Sequence, residues 1–432
     1  MRNESTSFDV VVIGGGPGGA SVATHLARLT GGALRIAVVE RERFPRFRVG
    51  ESLLPTCMLQ FERLGVLDRI RAHGFQAKFG VSFHDQESGN EHSFFFRAGR
   101  PWPHETLDVA RDAMDQILLE HAAAQPGVTL FQPASVEEVD LEAERVTVTV
   151  ARGDNEAGRT RLSAGFLVDA SGRDTFLASR LGTRQPMPGL GKVALFAYFR
   201  GAPRWEGRAE GNVRIYIFPD GWFWWIPLAD DQTSVGCVMH GRVARERRGS
   251  VTDLLEEMIA RCTLVRDGLR GAERVTPVYS AANFSYRVRP AAGDRHVCVG
   301  DAFTFVDPIF SAGVFVALES GELAAREIAS AFREDRFAAE RFADYELRLD
   351  RGLRPFCRMI EAYYDPSFLE LFLQPKPMLG MVDAVTGVLA GGAFCEMPLG
   401  MRLSLEAFFA FVKLNRWRRR RSGRAIESRL EW

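Results

Sequence analysis

Lysine is nearly missing from this chain. Only four of its 55 basic residues are lysine (Lys78, Lys192, Lys376 and Lys413), and the rest are arginine. Arginine supplies plain positive charge everywhere else, so a lysine marks a place where a compact amine that can lose its proton has a use. Net charge is also absent, with 55 acidic residues against 55 basic ones. That balance removes the electrostatic argument for nucleic-acid binding. The six cysteines are scattered, with no CxxC and no metal-ligand spacing. No metal site is expected, and free thiols in a reducing cytoplasm are. Long apolar runs are lacking too: 378–395 is broken by Asp383 and several glycines, which predicts a buried or lid helix in place of a membrane span. Residues 1–7 are polar and lead straight into a strand, so no signal peptide is expected.

What the chain does have is length and two contrasting patterns. At 432 residues it exceeds the usual limit of one core, so two or three subdomains are expected. Phe8-Asp9-Val10-Val11-Val12-Ile13 reads as a parallel strand buried on both faces. Gly14, Gly16 and Gly19 follow as GxGxxG and open a helix to about Leu29; residues 35–39 form a second strand ending at Glu40. The first glycine permits a tight turn, the second lets backbone approach a pyrophosphate, and the third lets helix pack on strand. Glu40, some twenty residues on, suits a ribose hydroxyl. A helix at 111–124 and strands at 164–169 and 295–300 are expected to return to this sheet.

Residues 80–97 and 192–240 alternate aromatic and β-branched residues and predict a separate antiparallel sheet. From about 312 onward the pattern is helical. Within the second sheet stands Trp222-Phe223-Trp224-Trp225-Ile226-Pro227. As a bare strand it needs no function, since aromatics favour strands and indoles favour burial. Placed near a bound cofactor, it can also wall that cofactor off from a substrate.

Three short elements follow the glycine fingerprint in order: Arg111 with Asp115, Asp169-Ala170-Ser171-Gly172, and Gly300-Asp301-Ala302. Together they resemble the FAD-dependent aromatic hydroxylase superfamily. Within it, Arg48-Val49-Gly50-Glu51-Ser52, Lys78-Phe79-Gly80, the WxWxIP strand and Asp307-Pro308 through Gly313-Val314 make the chain similar to flavin-dependent halogenases of the phenol or pyrrole type. The resemblance covers nearly all residues to about 350.

It implies an α/β fold like that of p-hydroxybenzoate hydroxylase. A Rossmann-like FAD-binding domain would comprise 1–77, 105–185 and 285–345. An inserted antiparallel substrate domain would comprise 78–104 and 186–284, and a helical C-terminal cap 346–432. It implies FAD contacts from Gly14, Gly16, Glu40, Gly19, Arg48, Ser52, Arg111, Asp301, Pro308, Gly313 and Val314, and halide held by the amides of Gly313 and Val314. Where the family often has a second serine, this chain has Ala312.

The implied reaction uses reduced FAD from a separate flavin reductase, oxygen, and chloride or bromide. Hypohalous acid made at the flavin would cross to Lys78, which delivers halogen to an electron-rich ring, free or on a carrier protein. Trp222 and Trp224 would keep that ring off the flavin. The alternatives are an NADPH-dependent aromatic hydroxylase, a flavoprotein reducing isoprenoid double bonds, and a flavoprotein that only binds a partner. The basic run Arg416–Arg421 reads as a solvated helix end or as a docking patch for an acidic partner.

Overall fold

The structure is a computed structural model, and it describes residues 6–97, 100–152, 158–187, 191–246, 249–282, 285–374, 380–395 and 397–421. Lys376 lies outside them. The first strand, Thr6–Ile13, pairs in parallel with Ile36–Val39 on one side and Arg159–Asp169 on the other. Val128–Phe131 and His296–Cys298 extend this parallel sheet at its two ends. Continuous apolarity in the first strand has a direct cause. Val10 and Val12 pack toward the helices Pro17–Leu29 and Gly313–Glu334, while Val11 and Ile13 pack toward the hairpin Ser135–Leu141/Val146–Ala151. Both faces are covered, so neither tolerates polarity.

The second sheet runs in the order Lys192–Arg200, Gln232–His240, Gly221–Pro227, Val213–Phe218, Gly80–Asp85, Glu91–Phe95. Its pairs are antiparallel except one: Val213–Phe218 runs parallel to Gly80–Asp85. Alternation cannot reveal this, because it specifies which side chains share a face and says nothing of strand direction. No short turn joins these two strands, so nothing forces them antiparallel.

Every residue of Gly221–Pro227 is buried. Trp222, Trp224 and Ile226 join the main core with the C-terminal helices. Phe223 and Trp225 face a second core beneath the helix Val251–Arg261. Gly236 is the cross-strand partner of Trp224, and any Cβ there would collide with the indole. The helices Ala343–Tyr363, Pro366–Leu373, Met381–Leu389 and Leu399–Arg421 close over the main core. Among the described residues, no helix is long and apolar enough to cross a membrane.

Candidate active site

One cavity of about 890 Å³ runs from the glycine turn past Asp301 to the start of helix Gly313–Glu334, with Trp222, Trp224 and Ile226 in its wall. Its volume suits a large cofactor. Gly14 has φ +101°, and an added Cβ would strike the Ala170 carbonyl. Gly19 is packed against the Gly14 carbonyl just as closely. Pro17 at the first helical position leaves the helix amides open toward the cavity. The Glu40 carboxylate accepts from Gly15 N at 2.7 Å and from Glu42 N at 2.8 Å. Each oxygen keeps lone-pair capacity for a hydroxyl. A dinucleotide with a pyrophosphate and a ribose fits this cradle.

Arg111 grips Asp115 bidentately at 2.9 and 3.1 Å and donates to the Val49 carbonyl at 2.9 Å. It therefore clamps the 48–52 loop. Arg48 is partly exposed and pairs with Glu42 at 2.9 Å. Both arginines line the cavity. Burial pushes the Asp301 carboxyl up to about 6, against the pull of Arg111 and Arg173. Pro308, Gly313 and Val314 line the same wall. Ala312, capping the Gly313–Glu334 helix, gives no side-chain acceptor to its first amides. A Cβ at Gly313 would meet nothing within 4 Å, so the helix start opens onto free space. The first amides of this helix therefore face the cavity without a side-chain partner from its cap.

Beneath this wall is a network that sequence reading missed. Lys192 Nζ lies 2.7 Å from Asp307 Oδ2, both side chains buried. Tyr364 donates to the same oxygen at 2.9 Å and accepts from Trp222 Nε1 at 3.2 Å. Asp307 Oδ1 accepts from Ile309 N at 3.0 Å, which fixes the turn Pro308–Phe310. Burial pulls the Lys192 amine down to about 8, with Asp307 opposing. One of the four lysines thus fastens the tryptophan wall to the loop that leads to Gly313. Its scarcity was the available signal.

Lys78 sits in the second buried cluster, at the end of the short strand Gln76–Lys78. Its ammonium donates to Ser52 Oγ at 2.6 Å and to the Leu53 carbonyl at 3.0 Å. It is 2% exposed, and burial lowers its pKa while Asp108 and Cys57 oppose. Ser52, which lines the cavity, is therefore committed to Lys78. Glu51 accepts a short hydrogen bond from the Tyr198 hydroxyl. Among the described residues no cluster suited to a metal occurs.

Comparison with known proteins agrees with this geometry. Residues 7–346 match a family model described as FAD binding domain. The chain is 31% identical over 426 residues to the 1H-pyrrole-2-carbonyl-[peptidyl-carrier protein] chlorinase of Pseudomonas fluorescens, covering 93% of each chain. The chain belongs to the flavin-dependent halogenases. A 1H-pyrrole-2-carbonyl-[peptidyl-carrier protein] brominase of Pseudoalteromonas luteoviolacea is 32% identical, over 76% of this chain and 79% of that protein. The solved flavin-dependent brominase Bmp2 superposes with a TM-score of 0.82 at 28% identity, over 95% of this chain and 100% of its own. This halogenase is thus an FAD enzyme with an α/β flavin fold, an inserted sheet and C-terminal helices. All six cysteines are free.

Proposed function

We propose that this halogenase installs chlorine or bromine on an electron-rich ring, a pyrrole or phenol presented on a carrier protein, by way of Lys78. Bound reduced FAD, with oxygen, supplies the oxidising equivalents that turn halide into hypohalous acid. The residues of this chain do the rest. Gly14, Gly16, Gly19 and Glu40 hold the adenosine and pyrophosphate end, and Arg48, Ser52, Arg111, Asp301 and Pro308 border the remainder. The amides of Gly313 and Val314 hold the halide. Trp222 and Trp224 separate flavin from ring. Lys78 hydrogen-bonds hypohalous acid and positions its halogen. The observation that carries this reading is the Lys78 amine itself, kept out of water and aimed inward at Ser52.

The pyrrole and carrier assignments rest on the names of the two carrier-protein halogenases. The helix Leu399–Arg421 supports them from this chain. It exposes Leu403, Leu414 and Trp417 on one side. Arg402, Arg418 and Arg420 are exposed beside them and make no ion pair among the described residues. That combination suits an acidic partner with an apolar patch. Reduced flavin would come from a separate reductase, in the cytoplasm.

With reduced FAD, oxygen and halide supplied, a carrier-bound pyrrole is expected to gain the mass of one halogen for each hydrogen lost. Lys78→Ala is expected to abolish that product while leaving FAD binding and peroxide release unchanged. Halogenated product at the wild-type rate from Lys78→Ala rejects the reading.

A further inference from the structure

Asp108 is the feature the halogenase reading leaves unexplained. It lies on the short strand Thr106–Asp108, which pairs antiparallel with Gln76–Lys78. An isolated bridge joins its backbone to Ser52. It is 0% exposed, and the Ser52 hydroxyl is the one hydrogen-bonding group the structure sets beside its carboxylate among the described residues, outside ideal geometry. A buried carboxylate with so little hydrogen bonding destabilises a fold. An asparagine would fill the same volume without that cost, so the charge itself needs a reason.

The neighbours supply one. Lys78 Nζ donates to Ser52 Oγ at 2.6 Å, which leaves the serine proton free to turn toward Asp108. The charged and titratable groups around Asp108 are Lys78, Glu51 and Arg204. Those around Lys78 are Asp108 and the Cys57 thiol. Asp108 is the foremost charge opposing the loss of the Lys78 proton. In turn, burial pushes Asp108 up to about 7, with Lys78 and Ser52 opposing.

We infer that Asp108 is a positioning residue that keeps buried Lys78 in its ammonium form, acting across the Ser52 hydroxyl. This rests on the role proposed for Lys78 and specifies its chemistry. Hypohalous acid accepts a hydrogen bond from the ammonium through oxygen. As the ring attacks, the carbon–halogen bond forms and the oxygen–halogen bond breaks. The departing hydroxide takes a proton from Lys78 and leaves as water. The ring then loses its proton, and one proton returns to the Lys78–Ser52–Asp108 set. The net change is ring hydrogen plus hypohalous acid to ring halogen plus water. A neutral amine has no such proton to give, and a lysine buried without a counter-charge becomes neutral.

The test is Asp108→Asn, read two ways in the full-length FAD-loaded protein. With only four lysines, isotope labelling at the lysine side chain gives few NMR signals, and Lys78→Met identifies the one of interest. Its midpoint is expected to fall by at least one pH unit in Asp108→Asn. The alkaline limb of ring halogenation should move down with it, cutting the rate at pH 8 at least tenfold. Hypohalous acid caught by an added thioether should stay at the wild-type level. An unmoved Lys78 midpoint overturns the inference even if activity drops. Should Asp108→Asn not fold, Asp108→Ser is read in the same way, and an unmoved Lys78 midpoint there overturns the inference. Absence of halogenation by the wild-type protein would instead reject the reading of the enzyme. The two failures are therefore distinct.

Discussion

Gly313 separates stability from function most cleanly. It begins a 22-residue helix, lines the cavity, and has nothing within 4 Å of where a Cβ would stand. Gly313→Ala therefore creates no clash. Alanine is favoured over glycine in helices by up to about 1 kcal/mol, less at a first turn. The melting temperature should hold or rise by up to about 2 °C. The new methyl, however, projects into the space where an anion would contact the first amides. Losing that contact should raise the halide KM at least tenfold, equivalent to about 1.4 kcal/mol. The assay is steady-state halogenation at saturating FAD with chloride or bromide varied, alongside calorimetry. Gly14→Ala is the contrast, because φ +101° and the Ala170 carbonyl leave no room there. It should lose flavin binding and stability together. An unchanged halide KM in Gly313→Ala refutes the anion site at this helix start.

Lys192→Met leaves the Asp307 carboxylate buried with only Tyr364 and Ile309 as donors among the described residues, and should destabilise the protein by about 3–5 kcal/mol in denaturant titrations. Adding Asp307→Asn should recover most of that loss, and a double variant no better than the single one rejects the pairing. Arg418→Glu with Arg420→Glu should raise KM for a carrier-bound ring at least fivefold, and more at low salt, without changing kcat or FAD binding. An equal KM at low and high salt counts against docking there.

Local chemistry was legible in the sequence and long-range pairing was not. The glycine turn is dictated by backbone sterics within six residues, and the structure keeps it. The tryptophan strand was legible as a wall because side chains alternate along it, though only Trp222 and Trp224 face the cavity while Trp225 turns to the second core. The parallel pair of Gly80–Asp85 with Val213–Phe218 left no trace in composition. Lys192 meets Asp307 across 115 residues of chain, and no periodicity links them. Asp108 reaches Lys78 through strands of three residues each, too short to carry alternation. Arg48, expected at the cofactor, lines the cavity yet spends its guanidinium partly on Glu42.

The two buried lysines show why residue type alone does not define a role. Lys192 makes a direct 2.7 Å ion pair, and its carboxylate is also held by a tyrosine and a backbone amide. A charge satisfied so fully is fixed in place, and what it secures is the geometry of the tryptophan wall through Tyr364. Lys78 has no such partner in contact. Its hydrogen bonds go to a hydroxyl and a carbonyl, and the Asp108 carboxylate stands on the far side of that hydroxyl. An ammonium has three protons to donate, and Lys78 uses two of them here. In the role proposed for Lys78, the third is left for the hypohalous acid. Direct pairing would have made that proton costlier to give and the site more stable. Arginine in either place would hold its charge permanently, so a lysine can be spared from the chain almost everywhere except where the proton itself is used or the fit demands a compact head.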